Sequence, residues 1–456
     1  MTSKVDNGWR REFGIGAAKS TSFIGNVDEL NSRRLPVSHA HVIRRAFALF
    51  DLDGVLSDQT SPIVYFKVVR RIQTAEILKL LRKFWNHGGA PILVVVSPTE
   101  VQIFSGLTRP TDKFDLSGRP NDLVVKIDRA TNELLEFLPS IESGEFFRKH
   151  SKSFKPTERV DRALLDNLGA TRDKLSIIAS KKATTDVLDA FLCRLVFTCY
   201  LFDRKIIGEM YLRDADITGL SHLKDILGLR SKSEAKEKLY RLFRKLAIDF
   251  NGDLFSDDLG AEAAMVSVAH IEAVDDFFGG TDAKTGQQSF WPYDFEAIPI
   301  ESISAIYERF LKPQDKELGA FYTPRFLAEL VLDTALAGYS SLTGLRFLDP
   351  ACGSGIFLVG IFNRIAEEWK QENPSARNDR RAKELLNILR SNFVGIDCNP
   401  TACRIAAFSL YLAFLDQLTP RDIQDLQAKG RALPPLVITP NQPDIGSNHG
   451  GIWCGD

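Results

Sequence analysis

The stretch Gly344–Gly360, GLRFLDPACGSGIFLVG, constrains this chain's fold more than any other. A short, mostly apolar run from Leu345 to Leu348 has the length of a buried parallel strand. It ends on Asp349-Pro350. The small residues Ala351-Cys352-Gly353-Ser354-Gly355 predict a tight turn. Apolar residues recurring at helical spacing then predict a helix over Ile356–Trp369. Strand, glycine turn and helix, in that order, bring backbone against a ligand at the carboxyl ends of strands in α/β folds. Glycine removes the Cβ atom where the ligand has to approach. No Gly-Lys-Ser/Thr follows, which excludes a phosphate P-loop.

At 456 residues the chain is long enough for two or three domains. Hydrophobic content of 44% and charged content of 26% are ordinary for a globular protein. The net charge of −1 gives no global basic signature, so nucleic-acid binding has to come from a local patch or from a partner. The six cysteines form no Cys-x-x-Cys pair and histidine is sparse, which argues against zinc and predicts no metal. A reduced, cytoplasmic protein is expected. The first residues are polar and no long apolar run occurs, so neither a signal segment nor a membrane span is expected.

Taken in order, residues 1–40 are polar and weakly periodic, and a loosely held lead-in is expected. Residues 41–150 predict a small α/β domain. Its strands are Ala46–Leu52, Pro62–Val69, Pro91–Val96 and Glu100–Ser105, with a helix over Ala75–Asn86. Residues 151–300 are dominated by helical patterns, among them Thr185–Phe202 and Glu234–Phe250. Tyr200, Phe202, Trp291 and Tyr293 could stack on bases, but aromatic groups at such spacing more often form core. Residues 301–456 predict a second α/β domain. Helices are expected over Ile303–Phe310, from about Pro324, over Ala382–Leu389 and over Thr401–Leu415. Its further strands are Phe393–Asn399 and one beginning at Gly451, with a loop over Gly430–Pro440.

Two strings in 41–150 invite catalytic readings. Phe50–Leu56, FDLDGVL, matches the first motif of haloacid-dehalogenase-like phosphatases, in which the first Asp is a nucleophile. No acid pair stands at a suitable distance downstream. An Asp-Gly hairpin turn between strands explains the string more simply. The β-β-α-β-β order also resembles PD-(D/E)xK nucleases. Tyr65-Phe66-Lys67 stands where their Glu-x-Lys would be, so the metal-binding acid is missing. A degenerate, nuclease-like scaffold is expected, in preference to an active nuclease using Asp51 or Asp53.

The string DPACGSGIFL, with its neighbours over roughly 300–456, resembles the long restriction-modification methylases of the N6-adenine DNA methyltransferase family. The resemblance implies a class I, Rossmann-like methyltransferase domain that binds S-adenosyl-L-methionine. Upstream, Gly319-Ala320-Phe321-Tyr322-Thr323-Pro324 resembles the motif over the cofactor's methionine part. Thr323 would meet the carboxylate, Phe321 and Tyr322 would supply apolar walls, and Pro324 opens the next helix. Asp349 would face the methionine amino group. The turn Pro350-Ala351-Cys352-Gly353, with Gly355, would wrap the cofactor, and Phe357 would pack beside it. Asp397, in GIDCNP with Cys398 beside it, would accept hydrogen bonds from both ribose hydroxyls, and Asp456 would bind the adenine amino group. The helical segment around LCRLVFTCYLFDRKII also resembles the part that precedes the catalytic domain in these methylases.

In that family an Asn-Pro-Pro-aromatic motif holds a target adenine flipped out of double-stranded DNA. No such motif occurs among these residues, and Asn399-Pro400-Thr401 and Asn373-Pro374-Ser375 are no substitutes. The expectation is therefore the cofactor-binding portion of a methylase used in phage defence. A second chain or a missing C-terminal region would carry the catalytic motif and the target-recognition domain. A non-catalytic cofactor-binding or assembly subunit of a defence complex is the alternative.

Overall fold

The computed structural model describes residues 8–15, 22–33, 35–58, 61–110, 123–178, 185–250, 253–255, 258–281, 293–299, 323, 325–428, 433, 436–438 and 451–455. The chain forms two compact units, Met1–Leu164 and Leu165–Asp456.

The first unit is built on a six-stranded sheet. Its strands are β1 (Ser22–Ile24), β2 (Gly54–Ser57), β3 (Pro62–Val68), β4 (Ile92–Val96), β5 (Glu100–Ser105) and β6 (Leu123–Asp128), neighbours in that order. β3 and β4 are parallel and every other pair is antiparallel. Ile92–Val96 is a continuous apolar run because β4 is buried on both faces. Ile92, Val94 and Val96 face Phe66, Trp9 and Phe137, while Leu93 and Val95 face Phe84, Tyr65 and Phe50. Each such side chain contributes on the order of 1.5–3 kcal/mol. The stretch expected as a lead-in supplies Trp9 and Phe13 to one of these cores and Ile24 and Leu30 to the other.

Two local expectations are corrected here. Ala46–Leu52 is not a strand. It is the end of helix α1 (Val37–Phe50), whose Ile43, Ala46, Phe47 and Phe50 recur at helical spacing and are buried. Asp53-Gly54 is not a hairpin turn either. Gly54 begins β2, and a Cβ there would lie 2.2 Å from the Phe23 ring, so the glycine makes room for an aromatic. β2 and β3 come together instead at their Asp58 and Ser61 ends, where Asp58 N–H donates to Ser61 O at 3.1 Å. Helix α2 (Thr74–His87) connects β3 to β4, as expected.

In the second unit, helices α3 (Thr185–Asp203) and α4 (Lys232–Phe250) accompany a smaller sheet. Its strands are β7 (Phe347–Asp349), β8 (Phe393–Asp397), β9 (Val437–Ile438) and β10 (Gly451–Cys454). The spatial order is β7-β8-β10-β9 and all pairs are parallel. Parallel strands need crossovers. Helices α6 (Ile356–Glu372) and α7 (Asn378–Ser391) lie between β7 and β8, and α8 (Pro400–Asp416) follows β8. Before them, α5 is Arg325–Leu336. Helix α8 is buried all round, as its even apolar composition requires. Phe197 of α3 stacks edgewise on Phe408 of α8 at 5.7 Å, and Arg204 pairs with Asp416. Within 430–440, expected as loop, Val437–Ile438 forms β9 and pairs with β10.

Tyr200, Phe202 and Tyr293 are core residues. The expected helix over Ile303–Phe310, residues 319–322, Pro324, Trp291 and Asp456 lie outside the described residues. Among the described residues no helix is long and apolar enough to cross a membrane.

Candidate functional site at the carboxyl ends of the parallel strands

Strand β7 ends at Asp349 and α6 begins at Ile356, so the turn between them must reverse the chain within a few residues. Two glycines allow it: Gly353 has φ +52° and Gly355 has φ +79°. They serve different needs. A Cβ on Gly355 would lie 3.1 Å from both Cα and Cβ of Ala406, so this glycine lets α8 pack against the turn. Among the described residues, a Cβ on Gly353 would meet nothing within 4 Å. Among the described residues the turn is thus tight against α8 and open beside Gly353. It is tied to β8 by Cys352 N–H donating to Ile396 O at 2.9 Å.

Two carboxylates flank this turn. Asp397, at the end of β8, accepts from Gly353 N–H through Oδ2 at 2.9 Å and from Asn399 N–H through Oδ1 at 2.8 Å. Each oxygen keeps lone-pair capacity for a second donor. Asp349 accepts from Ala351 N–H through Oδ1 at 3.2 Å, while its Oδ2 is buried without a hydrogen-bond partner among the described residues. Burial pushes the Asp349 carboxyl above its ordinary value, and the nearby Asp397 charge adds to the rise. Burial, with Asp349 and Asp397 beside it, also pushes the Cys352 thiol up to about 12. No cation bonded to either carboxylate is present among the described residues. The site offers acceptors suited to a ligand bearing several donors, or a positive charge, on one edge.

The structure brings Asp349, Pro350, Ala351, Cys352, Gly353, Gly355 and Asp397 together at one sheet edge. Pro350 and Ala351 are exposed, Cys352 is buried, and Phe357 is half-buried in the first turn of α6. Cys398 is exposed beside Asp397. Cys454 pairs in register with Asp397, and Gly455 N–H donates to Asp397 O at 3.0 Å, so the end of β10 reaches the same edge. Thr323 is half-buried just before α5. Sequence reasoning did not single out Ala406, Cys403 or Gly395. Cys403 donates from Sγ to Asp397 O at 3.3 Å, and a Cβ on Gly395 would lie 3.0 Å from Cys352 Sγ. Their only sequence signal was small size next to a motif.

Other chemistry-bearing clusters are internally satisfied. Cys199, Asp203 and His222 have metal-type donor atoms within 4.8 Å of one another. His222 Nδ1 accepts from Lys224 N–H at 3.1 Å, so a neutral ring carries its proton on Nε2 and donates it to Asp203 Oδ1 at 2.9 Å. Phe295 N–H fills Asp203 Oδ2 at 2.9 Å, and Lys224 Nζ stands 3.9 Å from Oδ1. A metal ion would have to displace that proton and tolerate the ammonium. In the first unit, Tyr65 occupies the position where a nuclease acid would stand and is wholly buried. Lys67 Nζ is held by Asp51 Oδ2 at 2.9 Å, and Asp53 Oδ2 accepts from Val68 N–H at 2.7 Å. Asp51 follows a helix and not a strand end, the placement at which open α/β sheets present ligand-binding groups.

Comparison with known proteins locates the likeness on this same region. Residues 334–436 match the family model described as MmeI, DNA-methyltransferase domain. The adenine-specific methyltransferase PglX of Streptomyces coelicolor is 30% identical over 114 residues, 24% of this chain and 9% of that protein. The methylase subunit of the type I restriction enzyme MjaIX of Methanocaldococcus jannaschii is 30% identical over 111 residues, 24% of this chain and 16% of that protein. Each alignment thus spans under a fifth of the curated relative's length. A solved structure of the Type IIL restriction-modification enzyme MmeI in complex with DNA is 17% identical with a TM-score of 0.37, over 64% of this chain and 39% of that one.

Proposed function

From the membership of residues 334–436 in the restriction-modification type of N6-adenine DNA methyltransferase, we propose that the turn between β7 and α6 is the S-adenosyl-L-methionine site of a site-specific DNA adenine methylase. One observation carries this reading. Two carboxylates with spare acceptor capacity flank a glycine turn that is open beside Gly353, and no cation is bonded to them among the described residues. Asp349 would take the methionine ammonium, which supplies the charge its buried Oδ2 lacks. Backbone from Pro350 to Gly353 would wrap the cofactor. Asp397 would accept from both ribose hydroxyls with its free lone pairs while keeping its bonds to Gly353 and Asn399. Phe357 and Cys398 would border the adenosine, with Asp456 at the adenine. Thr323, with Phe321, Tyr322 and Pro324, would close the methionine end.

When bound, the cofactor supplies an electrophilic methyl group on a sulfonium, suited to direct displacement by an adenine nitrogen. This chain's residues contribute binding and orientation. No Asn-Pro-Pro-aromatic motif occurs in these 456 residues. We therefore assign the chain the cofactor half of the reaction, with double-stranded DNA engaged by the complete enzyme.

Calorimetric titration with S-adenosyl-L-methionine tests the reading. Saturable binding is expected for the wild type and none for Asp349→Ala. A wild type that does not bind overturns it. Transfer of a radiolabelled methyl group to DNA by the chain alone would overturn the division of labour.

A further inference from the structure

We infer that Arg364 is a positioning residue that clamps α5 onto α6 and so holds the two ends of the cofactor site at a set separation; this rests on the cofactor reading. Arg364 lies on α6, and its side chain is only 5% exposed. Its Nη2 donates to Glu329 Oε2 at 2.6 Å and to Asp333 Oδ1 at 2.5 Å, both on α5, and its Nη1 bonds Gly360 O at 3.2 Å. A guanidinium this buried between two acids marks a built contact, because stripping water from it is costly unless its donors are met.

The seam it closes is narrow. Ala328 and Leu332 of α5 are buried, whereas Leu327, Leu330 and Val331 are exposed. Gly360 permits the close approach, since a Cβ there would lie 2.6 Å from Leu332 Cδ1. The two helices run in the same sense. Leu332 meets Gly360, and beyond the end of α5, Leu342 N–H donates to Glu368 Oε2 near the end of α6 at 2.9 Å. Following that register backwards brings the start of α5, with Thr323 just before it, level with the turn that begins α6. Arg364 is therefore placed to couple the Thr323 end of the site to the Gly353 turn without touching a ligand.

The test is a double-mutant cycle read by calorimetry with S-adenosyl-L-methionine, alongside amide hydrogen exchange. Arg364→Met should weaken binding about tenfold and speed exchange in α5 while α8 stays protected. Thr323→Ala should weaken binding in the wild-type background and add nothing in Arg364→Met, an outcome that general destabilisation does not produce. Should Arg364→Met fold poorly, Glu329→Gln with Asp333→Asn loosens the same clamp more gently and should give the same pattern. Unchanged affinity, additive effects or unchanged α5 protection in a folded variant would overturn the clamp. If the wild type does not bind, the cofactor reading fails and the positioning role falls with it.

Discussion

The two units each place a pair of acids close to a sheet, and the pairs differ in how their charge is met. In the first unit Asp51 is bonded by the Lys67 ammonium, while Asp53 accepts from Val68 N–H and has Lys67 and Arg10 nearby. In the second, Asp349 and Asp397 have, among the described residues, only backbone donors and each other. Burial raises the carboxyl of both Asp53 and Asp349. A raised carboxyl therefore does not by itself separate scaffold from site. The partners separate them: Asp53 stands among cations, whereas Asp349 keeps a buried oxygen with no hydrogen-bond partner among the described residues.

The largest effect expected from this contrast is on ligand affinity. Asp397→Ala removes both spare acceptors and releases the Gly353 turn, and should cost S-adenosyl-L-methionine binding about 100-fold or more, in line with lost charge-assisted bonds. Asp51→Ala and Lys67→Met should leave that affinity unchanged. A comparable loss from the first-unit variants, measured by the same titration, would break the contrast.

Next in size is the cost of a side chain on a left-handed glycine. Gly355→Ala combines φ +79° with two contacts at 3.1 Å to Ala406 and should destabilise by about 2 kcal/mol or more. Gly144→Ala in the first unit has φ +72° but open surroundings, and should cost about 1 kcal/mol. Gly353→Ala resembles Gly144→Ala in stability but should also impair the ligand, because its Cβ points into the space the ligand would use. Urea midpoints order the three. Equal costs at Gly355 and Gly144 would show that the packing against α8 is not what holds the turn.

The site was more legible in the sequence than the fold around it. The turn and helix through Glu372, the strand to Asp397 and the strand at Gly451 lie where local pattern puts them, whereas the buried strand expected over Leu345–Leu348 is Phe347–Asp349 and leaves Leu348 exposed. Each is an apolar run that ends at a polar or small residue marking a boundary. Ala46–Leu52 misled because a short apolar run reads equally as strand or buried helix. The buried faces of α1 become visible only over the whole Val37–Phe50 span. Gly54 misled because the Phe23 ring that requires it comes from β1, about thirty residues earlier in the sequence. Arg364 was invisible for the same reason: its partners Glu329 and Asp333 lie on another helix, and a charged residue on an amphipathic helix reads as solvent-facing until the neighbour is placed.

The smallest effect is on stability against pH, and it sharpens the contrast most. A carboxyl raised in the fold binds more protons there than in the unfolded chain between its ordinary value of 3.8 and its folded value. Its stabilising share is full below 3.8 and is lost as pH rises through the folded value. Asp349→Asn removes that loss. Without ligand, it should be slightly more stable than the wild type at neutral pH and should match it in strong acid. Asp53→Asn should gain less, because it also gives up its attraction to Lys67 and Arg10. Urea midpoints across the acid range measure both. Adding S-adenosyl-L-methionine should then reverse the order at Asp349, stabilising the wild type and not Asp349→Asn, since only the carboxylate offers the cofactor's ammonium a counter-charge. If Asp349→Asn is less stable than the wild type at neutral pH without ligand, the carboxyl is a satisfied structural group after all, and the two acid pairs are the same kind of scaffold.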